Sequence, residues 1–260
     1  MMVDTSGARQ RSRPTFIKAV LALAGIALFI SFISLGTWQV QRRAWKLDLI
    51  ERVNERVHSQ PVAVPAQPAW PAVQPDTHEY LAVQAQGQWL EDRSVLTQAV
   101  TELGAGFWLL TPLQQADGTQ VLVNRGYVPT AQRKVLAERI AAAPEGAQGD
   151  VVMVTGLLRF TEPKGGFMRD NAPQEDRWHS RDVQAIAQAK GLAQAAPFFI
   201  DQGVPGQPPS ATWPHAGLTV IQFPNTHAVY ALTWYGLALM VLGAAWLVVR
   251  YEKRKRARND

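Results

Sequence analysis

The five histidines of this 260-residue chain are the first candidates for metal binding or acid–base chemistry, because the chain has no cysteine. The absence of cysteine excludes disulfide frameworks, zinc–thiolate sites, iron–sulfur clusters and thiol nucleophiles. Four histidines are isolated in the sequence: His58, His78, His179 and His215. The chain also lacks glycine-rich phosphate loops, a nucleophile elbow and paired zinc-binding histidines. The sequence therefore favours a protein that is not an enzyme.

The fifth histidine stands where a long apolar segment begins, within FPNTHAVYALTWYGLA. Asn225 is predicted to be the N-cap of a helix, which the preceding proline prevents from starting earlier. His227 then falls in the first helical turn, where the helix dipole and partial burial disfavour the charged imidazolium. A neutral imidazole can offer a ring nitrogen to a metal or haem iron. At 100° per residue, Tyr230, Ala231 and Trp234 share the face of His227.

Two interpretations of this face remain open from the residues alone. His227, Tyr230, Ala231 and Trp234 could form a binding surface for a flat apolar ligand, with His227 as its metal ligand. Alternatively, Tyr230 and Trp234 anchor a helix at a membrane interface, and His227 makes an ordinary hydrogen bond at the helix end. The residues by themselves favour the second interpretation, because interfacial aromatic side chains are common.

Two uncharged apolar segments must position this histidine. Residues 19–35 and 228–249 form uncharged runs of 17 and 22 residues. Because a bilayer core about 30 Å thick needs about 20 helical residues, we predict transmembrane helices at 16–36 and 227–249. A cleaved signal peptide is the alternative for the first segment, although its apolar run is longer than such peptides usually have.

Basic residues predict the orientation of the two helices. Ten Lys and Arg residues flank their outer ends, whereas three lie close to the helices on the loop side. The positive-inside rule therefore places the tails at 1–15 and 250–260 in the cytoplasm. Since the net charge of +5 is concentrated in these tails, nucleic acid is not an expected partner but membrane lipid is.

The loop between the helices is predicted to contain a tether and one folded domain. Residues 37–76 read as a juxtamembrane helix followed by a proline-rich extended linker at 59–76, and residues 77–226 as the domain. Short alternating segments predict strands at 81–90, 94–100, 107–113, 119–128, 151–159, 198–201 and 218–223, with helices at 131–142 and 181–190. Asp117-Gly118 predicts a hairpin turn. The fold class is thus two membrane helices flanking an α+β, mainly antiparallel and partly barrel-like domain.

Several segments of the chain resemble the Surfeit locus protein 1 family, called Shy1 in yeast. The resemblance is carried by LGTWQVQRRAWK (35–46), VLVNRGYVP (121–129) and PNTHAVYALTWYGLA (224–238). EPKGGF (162–167), WHSRD (178–182) and FFID (198–201) also match the family pattern. These segments extend over most of the chain.

The resemblance implies a cytochrome c oxidase assembly factor that binds haem a transiently and assists its insertion into subunit I. His227 matches the family histidine that serves as axial iron ligand. The implied partners are subunit I and, as a source of the haem, haem a synthase. The short N-terminus favours a bacterial member in the cell inner membrane, with a periplasmic domain. A docking scaffold for apo-subunit I that binds no haem is the main alternative, and a membrane-tethered periplasmic enzyme is the weaker one.

Overall fold

The computed structural model describes residues 13–146, 149–163, 169–203, 212–221 and 223–258. The chain divides into two units: a helical unit of Met1–Ile50 and Phe223–Asp260, and a sheet unit of Glu51–Gln222. The helices are α1 (Arg13–His58), α2 (Pro75–His78), α3 (Arg133–Ala141), α4 (Val183–Ala189) and α5 (His227–Arg256). The strands are β1 (Val62–Ala63), β2 (Ala82–Trp89), β3 (Val95–Thr101), β4 (Gly104–Gln114), β5 (Gln120–Pro129), β6 (Val151–Phe160) and β7 (Ala195–Gln202).

The helical unit is built from α5 and most of α1. Both helices are long and apolar enough to cross a membrane, and most of their large apolar side chains are exposed. That pattern is typical of helices surrounded by lipid rather than packed in a soluble core. The predicted helical continuation beyond the first apolar segment is confirmed, because α1 runs without a break to His58.

The sheet unit contains one sheet of seven strands in the order β1-β2-β6-β7-β5-β4-β3. A short additional pairing joins β2 to β4 and closes a ring of five strands. The β1–β2 and β5–β7 pairs are parallel, and all other pairs are antiparallel. The predicted fold class is confirmed: apolar helices at both ends of the chain flank a mainly antiparallel, partly barrel-like domain.

The core of the sheet unit follows from the alternation of apolar residues along the strands. One cluster of buried side chains includes Val83, Leu113 and Phe198. A second cluster, around Trp178 and Ile186, packs α4 against the sheet. Asp182 caps α4, since its Oδ1 accepts a hydrogen bond from the Ala185 amide at 3.1 Å.

Two segments differ from the predicted secondary structure. The segment at 59–76 contains β1 and a 3₁₀ turn at Gln67–Ala72 rather than only an extended linker. Trp70 explains the difference, because its ring packs against the core and its Nε1 donates to the Pro65 carbonyl at 2.9 Å. The strand predicted at 218–223 is wrong for residues 218–221, which are irregular. Since β7 lies between β6 and β5, it has no free edge for a further strand.

Candidate functional site

His227 is the first residue of α5 and is half-buried. The predicted cap is wrong, because Thr226 and not Asn225 occupies the N-cap position, and no side chain there bonds to the helix. Asn225 instead has a buried Oδ1 atom with no hydrogen-bond partner among the described residues. An unpaired buried acceptor is unusual, and it stands two residues before His227.

The imidazole of His227 is held by a residue of α1. Its Nδ1 lies 2.7 Å from Oε1 of Gln39. Because a carbonyl oxygen can only accept a hydrogen bond, Nδ1 donates in this contact, and the uncharged form of the ring then has its lone pair on Nε2. A neutral imidazole with Nε2 available is the form that binds a metal ion or a haem iron.

One face of α1 makes the contacts with α5. Phe32, Gly36 and Gln39 follow one another at helical spacing, and each meets a residue of α5. The Phe32 and Trp234 rings stack at a centroid distance of 5.8 Å. A Cβ atom at Gly36 would lie 2.6 Å from the Tyr235 ring, so only glycine allows this approach. The two helices therefore meet along a stripe that ends at Gln39 and His227.

The structure separates the residues that were predicted to surround His227. Ala231 is 5% exposed, and Trp234 is half-buried against Phe32. Tyr230 is 54% exposed and takes no part in the described contacts with α1. The aromatic surface next to His227 in the helical sequence is thus a Trp234–Phe32 pair. The role of these four residues in ligand binding stays a prediction.

The donor chemistry of this region suits a flat apolar ligand with a central metal ion. It combines a half-buried imidazole, a stacked aromatic pair and a carbonyl acceptor at Asn225 that is unpaired among the described residues. In the described parts of the chain, no three His, Asp or Glu side chains come together to hold a bare metal ion.

A second group of polar side chains surrounds Asp201 in the sheet unit. Asp201 is 4% exposed in its side chain and accepts four hydrogen bonds. Arg159 and Arg181 donate from Nη1 at 3.0 and 2.9 Å, Asn124 from Nδ2 at 2.8 Å and Thr219 from Oγ1 at 3.1 Å. Burial alone would raise the pKa of Asp201, but the two guanidinium groups and the hydrogen bonds lower it below its usual value.

The remaining donors of the two arginines are also paired. Glu162 accepts from Nη2 of Arg159 at 3.1 Å and from Nη2 and Nε of Arg181 at 2.7 and 3.0 Å. Glu79 accepts from Nε of Arg159 at 2.7 Å. A cavity of about 250 Å³ borders this cluster. Because both guanidinium groups are already matched by carboxylates, we interpret the cluster as a structural clamp between strands rather than as a ligand site.

This clamp brings together four of the segments that carry the family resemblance. Asn124 belongs to VLVNRGYVP, Glu162 to EPKGGF, Arg181 to WHSRD and Asp201 to FFID. Residues 164–167 of EPKGGF lie outside the described residues. Of the residues named here, only Asp201 shows a sequence signal of its own, since a carboxylate that ends a buried apolar strand needs a partner.

Arg125 and Gly126 both lie in VLVNRGYVP and have local roles. Nη1 of Arg125 lies 2.8 Å from Oε1 of Glu91, so its partner is a local carboxylate. Gly126 has φ +130°, and a Cβ atom there would lie 2.3 Å from the backbone of His215. The positive φ and the close backbone approach both favour glycine at this position.

Comparison with known proteins identifies relatives across most of the chain. A model of the SURF1 family matches residues 26–239, which include Gln39, His227 and the whole sheet unit. Human Surfeit locus protein 1 is 33% identical over 243 residues, covering 86% of this chain and 74% of that protein. The Xenopus tropicalis protein is 32% identical over 251 residues, covering 90% and 76%. The Takifugu rubripes protein is 31% identical over 241 residues, covering 86% and 92%. None of these names denotes an enzyme.

Proposed function

The chain belongs to the SURF1 family, and from that premise we propose that it is an assembly factor for a haem–copper terminal oxidase. Its cargo is haem a, which it assists into subunit I of cytochrome c oxidase. The observation that carries the proposal is the hydrogen bond between His227 Nδ1 and Gln39 Oε1 at 2.7 Å. It leaves Nε2 of His227 as the atom that would hold the haem iron.

The neighbouring side chains support an apolar cargo at this position. Trp234, stacked on Phe32, offers an aromatic surface on α5, next to the buried Ala231. Tyr230, which is exposed, can contact the macrocycle or the lipid interface. His227 and these contacts would keep an apolar and otherwise harmful haem away from solvent.

Release follows from the single ligand that the protein supplies. One neutral histidine provides one axial bond, whereas a site in apo-subunit I that offers two histidines provides two. A carrier with one moderate bond loses its cargo to such a site once the two proteins are in contact. The partners are therefore apo-subunit I as acceptor and haem a synthase as source.

The proposal also fixes the location of the protein. Its two apolar helices fit a membrane protein. We propose the cell inner membrane of a bacterium, with both termini in the cytoplasm and the sheet unit in the periplasm, because most flanking Lys and Arg residues are on the outer ends. The sheet unit would then provide a contact surface for the oxidase.

The test is the His227→Ala variant purified from membranes that make haem a. The wild-type protein should carry a Soret band, and the variant should lose it while accumulating at normal levels. Loss of one interfacial hydrogen bond should cost only about 1 kcal/mol of stability. His58→Ala is the matched control, since His58 is an exposed histidine at the end of α1 and should leave the haem content unchanged.

The alternatives predict other spectra. A docking scaffold that stabilises apo-subunit I would carry no haem in the wild-type protein, yet would still be captured with subunit I. Full haem occupancy in purified His227→Ala would show that His227 does not bind the iron, and it would refute the proposed ligand. A periplasmic enzyme would require an activated nucleophile; the hydroxyl–carboxylate contact at the clamp, from Thr219 to Asp201, instead involves a carboxylate that two arginines already hold.

A further inference from the structure

We propose that Gln39 is the positioning residue of His227: it selects the ring nitrogen that faces the iron and keeps the axial bond weak enough for release. This inference rests on the proposed function. It concerns a residue of α1 that lies 188 positions from His227 in the sequence. Gln39 acts through the imidazole and is not itself a ligand.

The contact is well placed to fix the imidazole ring. Nδ1 of His227 and Oε1 of Gln39 are 2.7 Å apart, which is a short hydrogen bond for a neutral pair. Both side chains are half-buried, so water competes less for the same groups. Metal-binding histidines in general donate their second ring N–H to such a partner, which orients the ring and sets its tautomer.

The packing of α1 on α5 explains how Gln39 reaches the ring. Gly36 lies one turn before Gln39 on α1, and its lack of a side chain lets the Tyr235 ring pack on the backbone. Oγ1 of Thr37 lies 3.3 Å from the Tyr235 hydroxyl, which adds a polar contact at the same level. These contacts hold the end of the helix pair together. The position of Gln39 is therefore determined by the helix interface and does not depend on a bound ligand.

The chemical nature of Gln39 matters for a carrier. A carboxylate partner would draw the Nδ1 proton more strongly, make Nε2 more basic and strengthen the bond to iron. A neutral amide draws the Nδ1 proton less strongly, so Nε2 is less basic and its bond to iron is weaker than with a carboxylate partner. We infer that an amide at this position balances retention of the cargo against its transfer to subunit I.

The experiment compares three full-length variants in detergent: Gln39→Leu, Gln39→Glu and Gln41→Leu. Haem a affinity is measured by titration of the Soret absorbance, and the midpoint potential of the bound iron by potentiometric titration. Gln39→Leu should bind haem a about 10–100-fold more weakly, because the ring loses its orienting partner. Gln39→Glu retains an acceptor and should bind at least as tightly as the wild-type protein, with a lower midpoint potential. Gln41→Leu is the matched control, since Gln41 is exposed on the same helix.

The outcomes distinguish positioning from a structural role. A helix–helix hydrogen bond alone would not alter the potential of the iron. If Gln39→Leu fails to accumulate, the midpoint potential of the iron bound to Gln39→Glu provides the test. Equal haem affinity of Gln39→Leu and the wild-type protein would overturn the inference, as would an unchanged potential in Gln39→Glu. If the wild-type protein binds no haem a, the proposed function fails and this inference fails with it; if only His227→Ala loses haem, the inference alone fails.

Discussion

Gly126 provides a stringent test of the sheet unit, because two independent features forbid a side chain there. Its φ of +130° is a conformation that residues other than glycine rarely adopt. An added Cβ atom would also lie 2.3 Å from the carbonyl carbon and oxygen of His215 and 2.6 Å from the Ala216 nitrogen. These are backbone atoms, so no side-chain rotation can relieve the overlap. Gly126→Ala should therefore destabilise the sheet unit strongly.

The expected loss can be assembled from the structure. Backbone strain at such a φ costs about 1–3 kcal/mol. To make room, the segment at His215 must move away from Tyr127, with which it exchanges two backbone hydrogen bonds of 2.9 Å. Each bond contributes about 1 kcal/mol. The total, about 3–5 kcal/mol, is a large share of the roughly 5–15 kcal/mol that stabilises a typical domain.

The assay is thermal unfolding of the purified full-length protein, followed by near-ultraviolet circular dichroism. A loss of this size should lower the Tm by about 6–20 °C for a domain of 150–250 residues. Gly118→Ala is the matched control: Gly118 also has a positive φ, +86°, but an added Cβ atom there meets no atom within 4 Å. Gly118→Ala thus measures the backbone strain without the steric overlap, and it should lower the free energy of unfolding by only about 1 kcal/mol.

A similar Tm for both alanine variants would refute the account of Gly126, because the overlap would then contribute nothing. Oxidase assembly should fall only as far as the amount of folded protein falls, and it should recover when cells are grown at lower temperature. Normal abundance together with lost oxidase activity would instead place Gly126 on a functional surface.

Three further predictions concern the clamp, the surface and the topology. Asp201→Asn should lower the free energy of unfolding by about 3 kcal/mol, measured by thermal unfolding, because it removes the charge that faces two buried arginines. Folding lowers the pKa of Asp201, so the ionised carboxylate stabilises the fold above about pH 4, and this stabilisation is lost as the pH falls further. The stability of Asp201→Asn should therefore decline less with acid than that of the wild-type protein. Arg125→Ala should cost only about 1 kcal/mol, because its ion pair with Glu91 is partly exposed; a Tm loss as large as that of the Asp201 variant would contradict this. Alkaline phosphatase fused after Pro75 should be active and a fusion after Arg258 inactive, and the reverse result would invert the proposed orientation.

The strands and helices could be predicted because their signals are local. Alternation of apolar residues located β2 to β7 to within a few residues, and Asp117-Gly118 located the hairpin between β4 and β5. The segment around Trp70 could not be predicted in this way. Its prolines indicate an extended chain, but a single large ring that packs on the core of the sheet unit outweighs that local preference.

The candidate site could be predicted only in part, because its contacts join distant parts of the sequence. His227 was singled out by its position at the start of an apolar helix, although the residues alone favoured an ordinary hydrogen bond at the helix end. Gln39 carried no comparable signal: a glutamine near a membrane helix end is ordinary, and its role depends on how α1 packs against α5. The partners of Asp201 are likewise 18–77 residues away, so its charge balance was not visible in the sequence.

The segments that resemble the family therefore divide into two physical classes. At the clamp, each charged group already has a partner, so substitutions there should act through stability and should be rescued by conditions that favour folding. At His227 and Gln39, the structure leaves a lone pair on Nε2 that no described hydrogen bond uses, and substitutions should act through haem content while the fold persists. The amount of protein and its Soret absorbance, measured on the same samples, separate the two classes. A clamp variant with normal abundance but no haem would contradict this division.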